Sequence, residues 1–449
     1  MYIGGNSPLT KNTDYRLSLT KNISYELEDT GFKGRSKNGK KGVFTRDRKL
    51  TIKSLVLLIM SANRAIQREL DEFSKKIVSS DYTIRDVTKG AFSQARSKLN
   101  AWAFTRLNEV AVDTFYNEAE YYAWHGKRLL AVDGTRMVLP NHPSIKAEFG
   151  ETMYGPNADS PQSVAIASML YDVLNQLVID AQIAPFKSKN GERALLSRHI
   201  EKLEKGDLLL LDRGYPSLLL FFHLMAMGVD FCVRMKGSWW KQVRSFKESN
   251  ETERTVAFLL PDKDKKKMDG YPGWADKPIE CRLIKVELDT GETEILCTSL
   301  TDKEKYPVGE FKELYHFRWN EEEAYKLLKN RIELEDFSGK TAIAVCQDFH
   351  AKIFLLTLSA AYAHPIEERV RKEFKADKDR KHDQKINRTN AISMTKDILV
   401  PIFVKNKYEE ALKAFDDVVY KTREIIRPGR KNERKHKKKK PYCMNYKRL

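Results

Sequence analysis

Two apolar runs too short for helices, Leu129-Leu-Ala-Val132 and Leu208-Leu-Leu-Leu211, each stop at an acid, Asp133 and Asp212. Short unbroken apolar runs bounded by turn formers predict strands of a covered sheet. A carboxylate at the end of such a strand is rigidly mounted yet open to solvent, which suits a metal ligand. Taken singly, each is as well explained as a strand-end turn, since Asp-Gly is a common turn pair. The sheet-forming runs and their terminal acids become informative when a third acid is added.

The third acid comes from the stretch Tyr315-His-Phe-Arg318-Trp-Asn-Glu-Glu322-Glu-Ala-Tyr-Lys-Leu-Leu-Lys329, which reads as one helix. At about 100° per residue, Tyr315, Arg318, Glu322 and Lys329 fall within roughly 60° of one another. That face carries a carboxylate, two cations and a phenol. Glu321, Glu322 and Glu323 point about 100° apart, so composition leaves the choice among them open. The face shared with Arg318 selects Glu322. Arg318 and Lys329 would grip a nucleic-acid backbone and Tyr315 a phosphate or base. Trp319 reads first as a core residue and second as a base-stacking one. Asp133, Asp212 and Glu322 together predict a three-carboxylate site. Hard oxygen ligands point to two Mg²⁺ or Mn²⁺ ions, about 3.5–4 Å apart, for in-line phosphoryl transfer.

Charge supplies the partner. The 449 residues carry a net charge of +18. That favours a polyanion, nucleic acid first and an anionic membrane second. Residues 427–449 hold eleven Lys/Arg against Glu433, and residues 33–49 hold eight against Asp47. Such runs are as often solvated tails as contacts; the total charge and Tyr442 and Tyr446 favour DNA. The five cysteines show no zinc spacing and read as reduced, mostly buried thiols. No signal-peptide pattern stands at the N-terminus and no apolar run reaches about 18 residues, so no membrane association and a cytoplasmic location are expected. A Walker-like string, Gly34-Arg-Ser-Lys-Asn-Gly39-Lys40-Lys41, lacks the Ser/Thr that would hold Mg²⁺.

Along the chain, residues 1–44 read as a flexible basic N-terminus and residues 45–122 as a helical DNA-binding domain. Within it, Thr88 caps a helix with Ala91, Ala95 and Leu99 on one face and Gln94, Arg96 and Lys98 on the other. The latter are donors suited to bases and phosphates, though an ordinary amphipathic helix has the same pattern. From residue 128 the pattern turns to strands, with a hairpin at Asp172-Val-Leu-Asn175. Residues 123–237 and 294–365 read as the two parts of an α/β catalytic core with a mixed sheet. Residues 238–293 read as a β-rich insertion subdomain, and 366–449 as C-terminal helices with a basic tail.

These residues resemble a known family. Tyr315/Arg318/Glu322/Lys329, as Tyr-x2-Arg-x3-Glu-x6-Lys, resembles the YREK signature of bacterial DDE transposases of the insertion-sequence-four type. Ala-Val-Asp133-Gly-Thr and Leu-Leu-Asp212-Arg-Gly-Tyr resemble that family's two aspartate motifs, at similar separations. The Phe44-Thr-Arg-Asp-Arg-Lys-Leu50 start, the Gly90–Arg96 stretch and Arg427-Pro-Gly-Arg430 also resemble it. The resemblance implies a ribonuclease-H-like core and an N-terminal domain that binds terminal inverted repeats. It implies metal-dependent cut-and-paste transposition through hairpin ends, by a homodimer cutting in trans near the bacterial nucleoid. Asp133, Asp212 and Glu322 would ligate metal. Tyr315, Arg318 and Lys329, with Arg213 beside the second aspartate, would contact end DNA. One departure stands out: the family's base-flipping Trp has no counterpart in Glu292-Thr-Glu-Ile-Leu-Cys297, and whether Trp239, Trp240 or Trp274 substitutes is open. A catalytically inactive DNA-binding derivative and a ribonuclease-H-like nuclease are the competing readings; three retained, mutually repelling acids argue against the first.

Overall fold

The computed structural model describes residues 15–39, 43–44, 49–62, 65–153, 161–186, 191–238, 240–271, 273–288 and 291–427. The basic tail beyond residue 427, Trp239, residues 45–48 and part of the Walker-like string lie outside these. The architecture is mixed α/β, built on one eight-stranded sheet. Its strands are β1 (Leu129–Val138), β2 (Val164–Asp172), β3 (Leu177–Pro185), β4 (Leu208–Leu211), β5 (Asp230–Met235), β6 (Glu253–Phe258), β7 (Ile279–Glu287) and β8 (Thr293–Thr298). Their spatial order is β3-β2-β1-β4-β5-β8-β7-β6. Only the β1–β4 and β4–β5 pairs are parallel; the others run antiparallel.

β4 is four leucines, all buried, as expected of a central parallel strand covered on both faces. The β2–β3 hairpin forms at the expected turn. Asp172 Oδ1 accepts from the backbone N–H groups of Leu174 and Asn175, both at 2.9 Å, a side-chain mimic of a backbone turn. Two expectations need correction. β6 and β7, from the stretch read as a separate insertion, extend the same sheet, because β7 pairs with β8 along its length. Residues 15–39, read as part of a flexible N-terminus, hold helix α1 (Tyr15–Glu28) and a short helix, Thr30–Arg35. Leu19, Ile23 and Leu27 of α1 are buried, so apolar spacing at i, i+4 and i+8 outweighs the polar composition.

The remaining helices relevant to the site are α2 (Ile52–Ser61), α3 (Ile66–Val78), α4 (Lys89–Arg96), α5 (Trp102–Glu118), α6 (Gly191–His199), α7 (Leu218–Ala226), α8 (Phe311–His316), α9 (Trp319–Asn330), α10 (Ala342–Glu373), α11 (Arg388–Phe403) and α12 (Tyr408–Lys421). α5 and α10 pack on β3, α6 on β2 and β3, and α9 on β1. One contiguous apolar core runs from α1 through the sheet to α12. By length and composition, the 32-residue α10 is apolar enough to cross a membrane, but 83% of its most apolar window is buried inside the protein. It serves as the central helix of the core. Cys232, Cys281 and Cys297 are buried and unbridged.

The β1–β4 register is fixed by an ion pair at its base. Arg128 Nε and Nη2 each lie 2.7 Å from a different Asp207 oxygen. Arg128 is 8% exposed and Asp207 2%, so neither has water as an alternative partner. Asp207→Ala would leave a buried guanidinium with only the exposed Glu204, and should cost about 3–5 kcal/mol in urea denaturation. The pair of changes Arg128→Met and Asp207→Leu should recover most of that; a single variant as stable as wild type would contradict the assignment.

Candidate active site

The β1–β4 register pairs Val132 with Leu211. Asp133 and Asp212 are therefore the next residues on adjacent parallel strands, a spacing of about 4.8 Å between backbones. β4 ends at Leu211, but β1 continues to Val138. Asp133 thus lies inside its strand rather than at the expected end, because β2 still pairs beyond it.

The backbone of Asp133 is held by side chains. Its N–H donates to Glu321 Oε1 at 2.8 Å. Its C=O accepts from Ser168 Oγ at 3.1 Å and from the Tyr325 hydroxyl at 2.9 Å. Ser168 in turn meets His199 Nε2 at 3.0 Å, and His199 Nδ1 meets Asp180 at 2.7 Å. This network places the carboxylate with little freedom. Asp133 Oδ1 accepts from Gly134 N at 2.8 Å, and Oδ2 lies 3.9 Å from Arg318 Nη1. Burial pushes the Asp133 carboxyl up to about 6, against the opposing pull of the Gly134 N–H and Arg318; the charges of Glu192 and Glu322 add to the rise.

The helix across from these strands is not continuous. α8 ends at His316 and α9 starts at Trp319. Between them the bonds Arg318 N→Tyr315 O (3.2 Å), Asn320 N→Phe317 O (3.0 Å) and Glu321 N→Arg318 O (3.1 Å) wind the chain three residues to the turn. Tighter winding eclipses side chains three residues apart, so Tyr315 stays beside Arg318, whose guanidinium carbon lies 5.8 Å from its ring centroid. Tyr315 is buried, its hydroxyl donating to Leu211 O at 3.3 Å. That corrects its expected DNA contact: it braces the strand that carries Asp212.

Arg318 is 5% exposed. Its Nη2 donates to Glu322 Oε1 at 2.9 Å. Burial would lower its pKa, but the Tyr315 hydroxyl and the carboxylates of Asp212, Glu322 and Asp133 together hold it above its usual value. One guanidinium therefore serves as counter-charge to all three expected acids. Glu321 also faces the site, against the expectation that only one of the three glutamates could. α9 lies across β1, so Glu321 points into the sheet while Glu322 flanks it. Glu321 is fully buried, and burial together with Asp133 pushes its carboxyl well up.

The other expected contacts divide. Arg213 is exposed beside Asp212. Trp319 is 51% exposed and stacks on His316, not in the core as first read. Lys329 donates to Arg136 O at 2.6 Å and lies 3.5 Å from Glu335. Gln94 on α4 and Lys98 just past its end are exposed, but Arg96 is not available to DNA. It is 4% exposed and binds Gln347, Ser338 and Asp348 at 2.7–3.0 Å. The buried face of α4 is Phe92, Arg96 and, past its end, Leu99, since the larger Phe92 displaces Ala91 from the core.

The donor set fits a divalent cation by chemistry: the three acids offer only hard oxygen atoms. Asp212 Oδ1 is buried without a hydrogen-bond partner, as are the Tyr215 hydroxyl and Arg318 Nε. Among the described residues, no three His, Cys, Asp or Glu side chains are grouped to hold a metal as placed, and Glu322 is turned to Arg318. Sequence reasoning passed over Ser168 and Tyr325, which no motif marks, and set Glu321 aside in favour of Glu322.

The pH consequence follows from the sign of the Asp133 shift. A carboxyl raised from about 3.9 to about 6 on folding stabilises the protonated native state. In cation-free buffer, stability should therefore fall as pH rises from about 4 to about 6. Asp133→Asn should flatten that fall and melt above wild type at pH 7 in EDTA, by on the order of 2 kcal/mol. Parallel thermal melts would check this, and identical profiles would contradict it.

The chain matches the family described as Transposase DDE domain over residues 124–358. It is 28% identical over 251 residues to the transposase InsG of insertion sequence element IS4 from Escherichia coli strain K12, covering 55% of this chain and 54% of that protein. The chain thus spans about half the length of that curated relative. A piggyBac transposase, in a synaptic complex with hairpin DNA, superposes with a TM-score of 0.43 at 12% identity over 91% of this chain and 83% of that one, too distant to carry an argument. The family match covers more than half of the sequence, and the chain belongs to the family of DDE-domain transposases.

Proposed function

We propose that this chain is the transposase of an insertion sequence, cutting DNA at terminal inverted repeats and joining the freed ends to target DNA. The observation that carries the reading is the convergence of Asp133, Asp212 and Glu322 on Arg318 in a member of this family. In this reading the three carboxylates hold two Mg²⁺ or Mn²⁺ ions. Bound there, the ions would activate water or a 3′-hydroxyl and stabilise the leaving oxygen. The protein's own part is positioning. Glu321, Ser168 and Tyr325 fix Asp133, Tyr315 fixes the strand before Asp212, and Arg318 partly offsets the acids until DNA arrives. Exposed Arg213 and Trp319 suit contact with end DNA, and Gln94 and Lys98 suit contact by the N-terminal helices. The working unit is a homodimer carrying two ends, acting at the bacterial nucleoid in the cytoplasm. Residues 45–122 form the DNA-binding region, and residues 123–237 and 294–365 the catalytic core.

A labelled duplex carrying the element's terminal repeat, incubated with Mg²⁺, tests the reading. Wild type should cut at the element boundary. Asp212→Ala and Glu322→Gln should cut at least about 1,000-fold more slowly, with end binding within about threefold of wild type. Loss of binding in parallel would remove the catalytic assignment. Binding with no cutting by wild type would favour an inactive DNA-binding derivative, and cutting of any duplex equally would favour a nuclease.

The basic tail, outside the described residues, makes a separate prediction. Deleting residues 428–449 removes ten Lys/Arg. DNA affinity should fall across all sequences, and the slope of log K against log salt should become shallower. An unchanged slope would show that the tail does not touch the backbone.

A further inference from the structure

The first turn of α6 touches both aspartates' neighbourhoods. A Cβ built on Gly134 would stand 2.7 Å from Glu192 Cγ, 2.9 Å from its Cδ and 3.0 Å from its Oε1. The Glu192 side chain therefore lies directly over the residue that follows Asp133, where a Cβ would push it aside. The next residue, Arg193, donates from Nε to Gly214 O at 2.9 Å, anchoring the helix to the loop that follows Asp212. Glu192 is only partly exposed, and among the described residues its carboxylate has no hydrogen-bond or ion-pair partner. Arg318, the counter-charge of the site, is bonded to Glu322.

A second observation points to a missing ligand in the same neighbourhood. Tyr215 is 2% exposed and its hydroxyl has no partner. Burial and the charges of Asp133, Glu192, Glu321 and Asp212 surround it. Glu321 Oε2 is likewise buried and unpartnered. A buried hydroxyl and a buried carboxylate oxygen left unpaired close to further acids are costly unless a cation, with its water, joins them. Hard divalent cations take six or more oxygen atoms, so three acids leave positions to fill.

We propose that Glu192 is a fourth oxygen donor of the cation site, holding a divalent ion on the Asp133 side directly or through one water. The proposal rests on the cation-binding reading given under Proposed function. It assigns a ligand from α6, an element that the three motif acids do not include.

Mn²⁺ binding to the full chain, measured by calorimetry and by electron paramagnetic resonance without DNA, tests it. Glu192→Gln should weaken Mn²⁺ binding by about tenfold or more, with Glu192→Asp falling between. Both variants should melt in EDTA at or above the wild-type temperature, since a like charge has been removed or withdrawn. Wild-type Mn²⁺ affinity in Glu192→Gln would overturn the proposal and leave the three-acid reading standing. A melting temperature well below wild type in EDTA for both variants would also overturn it, marking Glu192 as structural. If wild type shows no Mn²⁺ binding that Asp133→Asn removes, the cation reading itself fails and this proposal with it.

Discussion

The paired contacts between Arg128 and Asp207 set the geometry on which the site depends. They lie one residue before the first β1–β4 pair. Asp133 is five residues past Arg128, and Asp212 is five past Asp207. A parallel pair of strands keeps equal steps, so a register fixed at one end is delivered at the other. A slip by one residue would turn one aspartate to the opposite face of the sheet. Four leucines cannot prevent that slip, because a uniform apolar run packs equally well one step along. A buried bidentate ion pair can, since it has one geometry and no solvent to fall back on.

What the register assembles is electrostatically unfavourable by itself. Asp133, Asp212 and Glu322 share one guanidinium, and Glu321 and Glu192 add charge or protonation demand nearby. The large continuous core tolerates this, and the raised Asp133 and Glu321 carboxyls record the cost. The backbone of Asp133 is nevertheless satisfied by Glu321, Ser168 and Tyr325. Rigid backbone support with an uncompensated carboxylate is the arrangement a preorganised cation site requires.

Much of this was legible in the sequence, for identifiable reasons. The four-leucine run and the Asp172 turn rest on local chemistry, and they form as read. Most failures are tertiary. Arg96 looked like a DNA donor because nothing local reveals that Gln347 and Asp348 come to meet it from α10. β6 and β7 looked like a separate subdomain because sheet membership depends on pairing with β8, not on the strands' own composition. Asp133 looked like a strand end because a glycine follows it. Glu192 instead lies directly over that glycine. The helix break at residues 317–318 has no proline or glycine to announce it, and nothing local reveals that the Tyr315 hydroxyl meets Leu211 O of β4.

On the proposed reading, the placement of Arg318 couples the two ligands of the site. Divalent cations and the guanidinium compete for the same carboxylates. DNA phosphate and Glu322 compete for the same guanidinium. A cation that takes Glu322 therefore frees Arg318 for phosphate, and a phosphate that takes Arg318 frees Glu322 for a cation. Each ligand removes the other's competitor, and linkage makes the effect equal in both directions. A site built this way is only partly offset by its own arginine when alone, and acquires its full set of acids only when metal and DNA arrive together.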